Sequence, residues 1–263
     1  MIVDAISILV VRAVFRFEVM TMYKGLIFSL FDGSGKAVKD WADNGYKCIC
    51  FNADGGDHGD YQSVRIQHEN IEYVNVWIDD SFYVKAINNE WGNPDFIMAF
   101  PPCTDIANSG SRHWAKKRLE NPSFQDEAAD TCRIAADIAD YFGVPYMIEN
   151  PVGKLSTLWR KPDYTFHPCD YAGYLPEDDK HPDFPDIIPA RDRYFKKTCL
   201  WTGNGFVIPP RALILPKEED KDNPGWAKTG GKSSRTKMIR SLTRKTKIIQ
   251  AGPKLAVSHR AQR

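Results

Sequence analysis

The sequence predicts an α/β protein with a mostly parallel sheet and a small irregular carboxyl-terminal part. Two observations predict it. Short apolar runs alternate with helix-like pieces from Lys24 to Pro151, the rhythm of parallel strands joined by crossover helices. After Pro151 the chain becomes rich in proline and aromatic residues, a texture that favours irregular structure and antiparallel pieces over further βα units.

The elements follow in order. GLIFSLF is a buried strand ending at DGSG, and GKAVKDWADNG reads as a helix with Gly45 just past its end. YKCICFNAD is a second strand closing on Asp54, and IEYVNVWIDD a third closing on Asp79 and Asp80. DFIMAF is a fourth, and it must stop at Pro101, because proline cannot donate to a sheet ladder. SFQDEAADTCRIAADIADYFG is the clearest helix: Ser123 stands at the capping position, Ala135, Ile138 and Ala139 form an apolar stripe, and Gly143 stops it. VPYMIENP is a fifth strand ending in Glu149, Asn150 and Pro151. YTFHPCDYAGY and RYFKKTCLWTG are short strand candidates, PKEEDKDNPGWAKTGGKSSRTK an exposed loop, and the basic end a solvated or nucleic-acid-brushing tail. Met20 and Met22 lie directly before the first well-patterned strand. The expected division is therefore an extension over 1–22, a catalytic domain over 23–210, and a loop with basic tail over 211–263.

Length and composition set limits. With 263 residues, 43% of them hydrophobic and 26% charged, the chain suits one soluble globular domain. A net charge of +1 gives no global pull on a polyanion, so nucleic-acid contact must come from a local basic face. Arg112, Lys116, Lys117 and Arg118 offer one, or form an ordinary exposed helix face. Six scattered cysteines suggest reduced thiols and a cytoplasmic setting. The apolar start is interrupted by Arg12, Arg16 and Glu18, so neither a signal peptide nor a membrane span is expected. No obligate protein partner is evident.

Three strands and one Gly-rich turn bring polar or reactive groups to one sheet edge, where ligands bind in open parallel sheets. In FSLFDGSGKA, Gly33 and Gly35 permit close backbone approach, although a plain tight turn has the same pattern. Asp54, about 20 residues on, is spaced to accept from ribose hydroxyls, and Asp79 or Asp80 to reach an adenine amino group. Each acid is equally a loop-entry or capping residue. Cys103 follows the Pro101–Pro102 corner into the polar, small TDIANSG, which suits a nucleophilic thiol in a loop with open space beside it, as against a small buried apolar side chain. Glu149 ends a buried strand, as a structural carboxyl or as one held in a poorly solvated pocket to protonate a ring nitrogen. Cys48, Cys50 and Cys132 read as core. His167, Cys169 and Cys199 lack paired C-x-x-C spacing, and no metal site is expected.

Taken together, FDGSG, PPCTDIANSG and IENP, in this order and at these strand ends, resemble the DNA cytosine-5 methyltransferase family, and its short phage-type members above all. The match runs over about Lys24 to Val207. The resemblance implies a Rossmann-like S-adenosylmethionine-dependent methyltransferase fold, S-adenosyl-L-methionine as cofactor, and DNA with an extruded cytosine as partner. It implies Cys103 as the nucleophile, Glu149 on cytosine N3 and Asn150 holding the loop. Phe31, Asp32, Gly33, Gly35 and Pro101 would line the cofactor, with Asp54 on its ribose and Asp80 near its adenine. The family's later Arg-x-Arg strand is echoed by Arg191 and Arg193, with Lys196 and Lys197 as the other candidates, and Arg193 is taken as the catalytic one. Thr104 departs from the family's usual glutamine, no terminal Gly-Asn motif is recognisable, and Cys199 to Lys232 is too short for a large target-recognition domain. An RNA or nucleotide acceptor therefore stays open, as does a cofactor- or DNA-binding relative without catalysis.

Overall fold

The computed structural model describes residues 23–55, 61–181, 185, 188–217 and 220. The expected extension, 1–22, and nearly all of the basic tail, 221–263, lie outside the described residues.

Seven strands form one sheet: β1 (Leu26–Leu30), β2 (Lys47–Asn52), β3 (Ile71–Asn75), β4 (Phe96–Ala99), β5 (Tyr146–Pro151), β6 (Tyr164–Phe166) and β7 (Thr198–Gly203). Their spatial order is β3-β2-β1-β4-β5-β7-β6. β1 to β5 are parallel, while β7 runs antiparallel between β5 and β6. This is the mixed, Rossmann-like α/β architecture expected. Five helices are described: α1 (Lys39–Asp43), α2 (Asp80–Ile87), α3 (Trp114–Glu120), α4 (Phe124–Phe142) and α5 (Leu155–Leu158). None is long and apolar enough to cross a membrane.

The central strands read as continuous apolar runs because both faces are covered. On one face Phe28, Leu30, Ile97, Ala99 and Ile148 meet α2 and α4. Cys132, Ala135, Ile138 and Ala139 of α4 are all fully buried there. Phe51 anchors this layer, with ring centroids 5.0 Å from both Phe28 and Phe82 and 4.9 Å from Trp91, in edge-to-face pairs each worth about 0.5–1.5 kcal/mol beyond area burial. On the other face Ile27, Met98, Met147 and Leu200 pack with Val38, Ala42 and Tyr171.

Three local expectations differ from the structure. Residues 35–45 do not form one helix: Gly35 adopts φ +72°, Val38 N–H bonds to Gly35 C=O at 3.2 Å, and only Lys39–Asp43 is α-helical. Ser123 stands at the start of α4 but makes no side-chain cap. Asn121 organises that entry instead, its Oδ1 accepting from Ser123 N–H at 3.0 Å and its Nδ2 donating to Glu127. Residues 211–217, read as the beginning of an exposed loop, alternate between exposed and half-buried, and Ala212 and Ile214 donate to Asp170 and Cys169.

The topology also opens a crevice. β1 and β4 stay paired as far as Phe100, whose N–H reaches Leu30 C=O at 3.1 Å. Beyond that point they part: Asp32 N–H turns to Phe51 C=O of β2 at 3.2 Å, while Asn150 of β5 takes the Pro101 carbonyl at 3.1 Å. In open α/β sheets, ligands bind at this reversal of strand order.

Candidate active site

On the β1 side the crevice is floored by Phe31 to Gly35. Phe31 adopts φ +61°, a left-handed conformation costly for a bulky residue and of the kind concentrated at functional turns. It folds Asp32 back into the protein, where the side chain is completely buried. One carboxylate oxygen accepts from Gly35 N–H at 2.8 Å, Ser34 N–H at 3.2 Å and the Ser34 hydroxyl at 3.2 Å. The other accepts from the Ser29 hydroxyl at 3.0 Å. Burial pushes the Asp32 carboxyl above its ordinary range, against the opposing pull of its bonds to Gly35, Ser29 and Ser34. Asp32 therefore shapes the turn from within.

Gly33 and Gly35 serve close approach. A Cβ on Gly33 would lie 2.4–2.7 Å from three ring atoms of Tyr61, and one on Gly35 2.1 Å from the Tyr73 hydroxyl. That hydroxyl lies 3.0 Å from Ser34 C=O and 2.9 Å from Ile66 C=O, tying β3 and the segment before it to the turn. Asp54, at the end of β2, accepts from Asn52 Nδ2 at 2.6 Å on one oxygen and pairs with Arg65 through the other. Arg65 in turn lies over the Tyr73 ring, 4.6 Å from its centroid. Asp79, not Asp80, caps α2, its Oδ1 receiving Ser81 N–H at 2.9 Å and Phe82 N–H at 3.1 Å. Asp80 is exposed in the first turn and lines an open groove of about 490 Å³ with Tyr83, Ile134, Asp137, Asp140 and Tyr141.

On the far side, β4 and β5 deliver the thiol and the carboxyl. Ala99 pairs with Ile148, so the residues that follow are Phe100, just past the end of β4, and Glu149, which stays in β5 and pairs with Leu200 of β7. Cys103, partly exposed, opens a tight turn in which its C=O accepts from Ala107 N–H at 2.8 Å. Glu149 is 6% exposed and Asn150 1%. Beyond the turn, Lys154 N–H bonds to Ile106 C=O at 2.7 Å and Asn108 N–H to Val152 C=O at 3.2 Å. The loop is thus stitched to the exit of β5.

Arg193 follows the short 3-10 turn Ala190–Asp192. Its guanidinium makes a two-point pair with Asp220, both contacts at 2.8 Å. Arg191 donates to Ala172 and Gly173 carbonyls. Lys197 leads directly into β7, and it lies with Glu149 near Cys199: burial raises that thiol, Lys197 opposes the rise and Glu149 adds to it.

Several residues that shape the site carry no pattern in the sequence. Tyr61 and Arg65 lie in a segment without periodicity, and Gly110 and Gly153 are single glycines whose role shows only in space. A Cβ on Gly110 would lie 2.4 Å from Thr104 C=O, so that residue also backs the Cys103 loop.

No family model matches the chain, and no curated protein matches it. Methyltransferases are among the solved structures it is similar to. One is a prophage-encoded protein of Escherichia coli described as a DNA modification methyltransferase, with 12% identity over 75% of this chain and 54% of that one, at a TM-score of 0.40. Another is an antibiotic-related methyltransferase, 11% identical over 71% of this chain and 91% of that one, at 0.37. An epimerase from Methanothermobacter thermautotrophicus is 18% identical over 47% of this chain, at 0.34. The chain spans 34% of that epimerase and 54% of the prophage-encoded protein. At these values the likenesses say nothing about chemistry.

Proposed function

We propose that the protein is an S-adenosyl-L-methionine-dependent methyltransferase acting on C5 of cytosine in DNA, with Cys103 as covalent nucleophile. One observation carries this reading: the Gly-rich turn after β1, the Cys103 loop after β4 and the Glu149–Asn150 end of β5 meet at the edge where the strand order reverses.

The residues present suit the cofactor. The turn permits close approach at Gly33, where a Cβ would meet the Tyr61 ring at 2.4–2.7 Å, and Asp54 is a carboxylate of the kind that receives ribose hydroxyls. Phe31, Gly33, Gly35, Asp54 and Pro101 would hold it, with Asp32 fixing the turn and Asp80 at the entrance of α2. When bound, S-adenosyl-L-methionine supplies an electrophilic methyl group on a sulfonium sulfur.

The chain's own residues do the rest. Cytosine C5 is a weak nucleophile. Addition of the Cys103 thiolate to C6 forms a carbon–sulfur bond and shifts electron density onto C5. Glu149 hydrogen-bonds or protonates N3, drawing off the negative charge that the addition creates. Once C5 carries the methyl group, a base removes its remaining proton, the Cys103–C6 bond breaks, and the thiolate and aromatic ring are restored. Asn150 keeps the loop in place through the Pro101 carbonyl. Since C6 is unreachable in a stacked duplex, the base must be extruded.

The test is covalent trapping. With duplex DNA carrying 5-fluorocytosine and cofactor, the fluorine at C5 cannot leave as the proton does, so the protein should gain the mass of the oligonucleotide, and Cys103→Ala should gain none. Labelled methyl transfer to duplex DNA, single strands, RNA and free dCMP identifies the acceptor. Absence of both adduct and transfer would reduce the protein to a binding relative.

A further inference from the structure

Gln125 is a polar residue on the buried face of α4, in its first turn and only 7% exposed. A buried amide is costly unless both of its ends are bonded. Here they are. Nε2 donates to the Asp105 backbone carbonyl at 3.0 Å, and Oε1 accepts from Arg118 of α3 at 3.1 Å. Asp105 stands two residues beyond Cys103, and its carboxylate pairs with Lys117 of α3.

These bonds complete an enclosure. From the β5 side, Asn150 holds Pro101 and Lys154 holds Ile106. From the helix side, Gln125 and Lys117 hold Asp105 by its main chain and its side chain. Cys103 lies between the two sets of anchors. Lys117 and Arg118, two of the four basic residues that the sequence offers to phosphates, are engaged in this bracing.

We propose that Gln125, supported by Arg118, is a positioning residue for Cys103: it fixes the turn that presents the thiol and touches no substrate. The proposal rests on the reading of Cys103 as the nucleophile. A residue that merely stabilised the fold would lower the melting temperature and leave the folded protein's thiol presentation unchanged. A positioning residue separates the two.

The experiment uses the full chain with Gln125→Met, which keeps volume and removes both bonds, and Gln125→Glu, which keeps the acceptor for Arg118 and removes the donor to Asp105. Arg118→Gln, on α3, perturbs the same chain of bonds without entering the core. Alkylation of Cys103 by iodoacetamide is followed by mass spectrometry, with Cys103→Ala as blank, since the other five cysteines are buried. The released turn should alkylate at least about threefold faster, while kcat for methyl transfer falls about tenfold or more and KM for S-adenosyl-L-methionine stays constant. Alkylation and kcat both within twofold of wild type in a folded Gln125→Met protein would overturn the proposal. Should the Gln125 variants not fold, unchanged alkylation in Arg118→Gln overturns it equally. If alkylation responds as expected but wild type transfers no methyl group to any acceptor, the brace stands and the proposed function fails.

Discussion

Gly153→Ala tests how much the site depends on the stitching between the Cys103 loop and the exit of β5. A Cβ at this position would stand 2.0 Å from Ile106 C=O and 2.8 Å from Ala107 Cα. Both are backbone atoms, so no rotamer relieves the overlap. Reaching ordinary contact at 3.4 Å requires the two segments to part by about 1.4 Å. That displacement carries the Lys154–Ile106 bond, now 2.7 Å, and the Asn108–Val152 bond, now 3.2 Å, out of hydrogen-bonding range. Two such bonds at about 0.5–1.5 kcal/mol each give a loss of about 1–3 kcal/mol. For a chain of this size that lowers the melting temperature by about 2–4 °C per kcal/mol. On the proposed function the effect on catalysis should be larger, since a misplacement of about 1 Å near a nucleophile costs on the order of 100-fold. The assay pairs denaturant unfolding with methyl transfer and Cys103 alkylation. Gly205→Ala is the control: at φ +84° with nothing within 4 Å of its Cβ, it should cost about 1–2 kcal/mol of backbone strain and no activity. A Gly153→Ala protein within about 0.5 kcal/mol of wild type and equally active would refute the reasoning.

Other expectations concern charge. Removing Arg65 frees one oxygen of Asp54, so on the proposed function Arg65→Gln should bind S-adenosylhomocysteine several-fold more tightly in calorimetry and with less dependence on salt; weaker binding would mean that Arg65 itself supports the ligand. Asp163→Asn and Asp32→Asn should show opposite pH trends in urea unfolding. Burial alone would raise Asp163, but Thr202 N–H at 2.7 Å and Arg160 at 2.7 Å outweigh it and hold the carboxyl below its ordinary 3.8. The stability it contributes is present above that value and lost as pH falls through the lowered one, so the deficit of Asp163→Asn shrinks in acid. Asp32 is raised by burial, so its contribution is full below 3.8 and lost as pH rises through the raised value. Its advantage over asparagine should therefore decline with rising pH; a flat difference for either variant would show that the group does not titrate as its surroundings dictate.

The fold was legible because its strands are short apolar runs that end in polar residues, a pattern that survives without any partner in view. The five parallel strands lie where those runs lie. Less legible were ends and caps. Gly35 looked like a helix start, yet its left-handed conformation belongs to the turn that Asp32 draws together. Arg193 had the spacing for a strand-borne pair with Arg191, but Asp220, 27 residues away, was invisible as its partner. Gln125 carries no signal of its own in the helical pattern of 124–142. Its role depends on Asp105, twenty positions earlier, and spacing along one helix cannot register such a contact.

The two walls of the crevice are built by different physics. The floor at Phe31–Gly35 and the Cys103 loop are held by buried bonds to backbone groups, where a lost partner leaves an unsatisfied atom at a cost of about 1–3 kcal/mol. Tyr61 and Arg65, by contrast, reach the turn and Asp54 through side chains alone, and the Arg65–Asp54 pair is mostly withdrawn from solvent, its side chains 17% and 11% exposed, so it opens at little cost only where another partner takes the place of the one displaced. On the proposed function this division has a use. The atoms that must be aligned to a fraction of an ångström are held through the backbone, while the acid assigned to the ribose is covered by a side-chain cation that a ligand has to replace. A ligand that replaces Arg65 at Asp54 gains a carboxylate already oriented by Asn52 and releases a guanidinium already supported by Tyr73. The exchange therefore leaves neither charge stranded, and it can proceed without disturbing the thiol across the crevice.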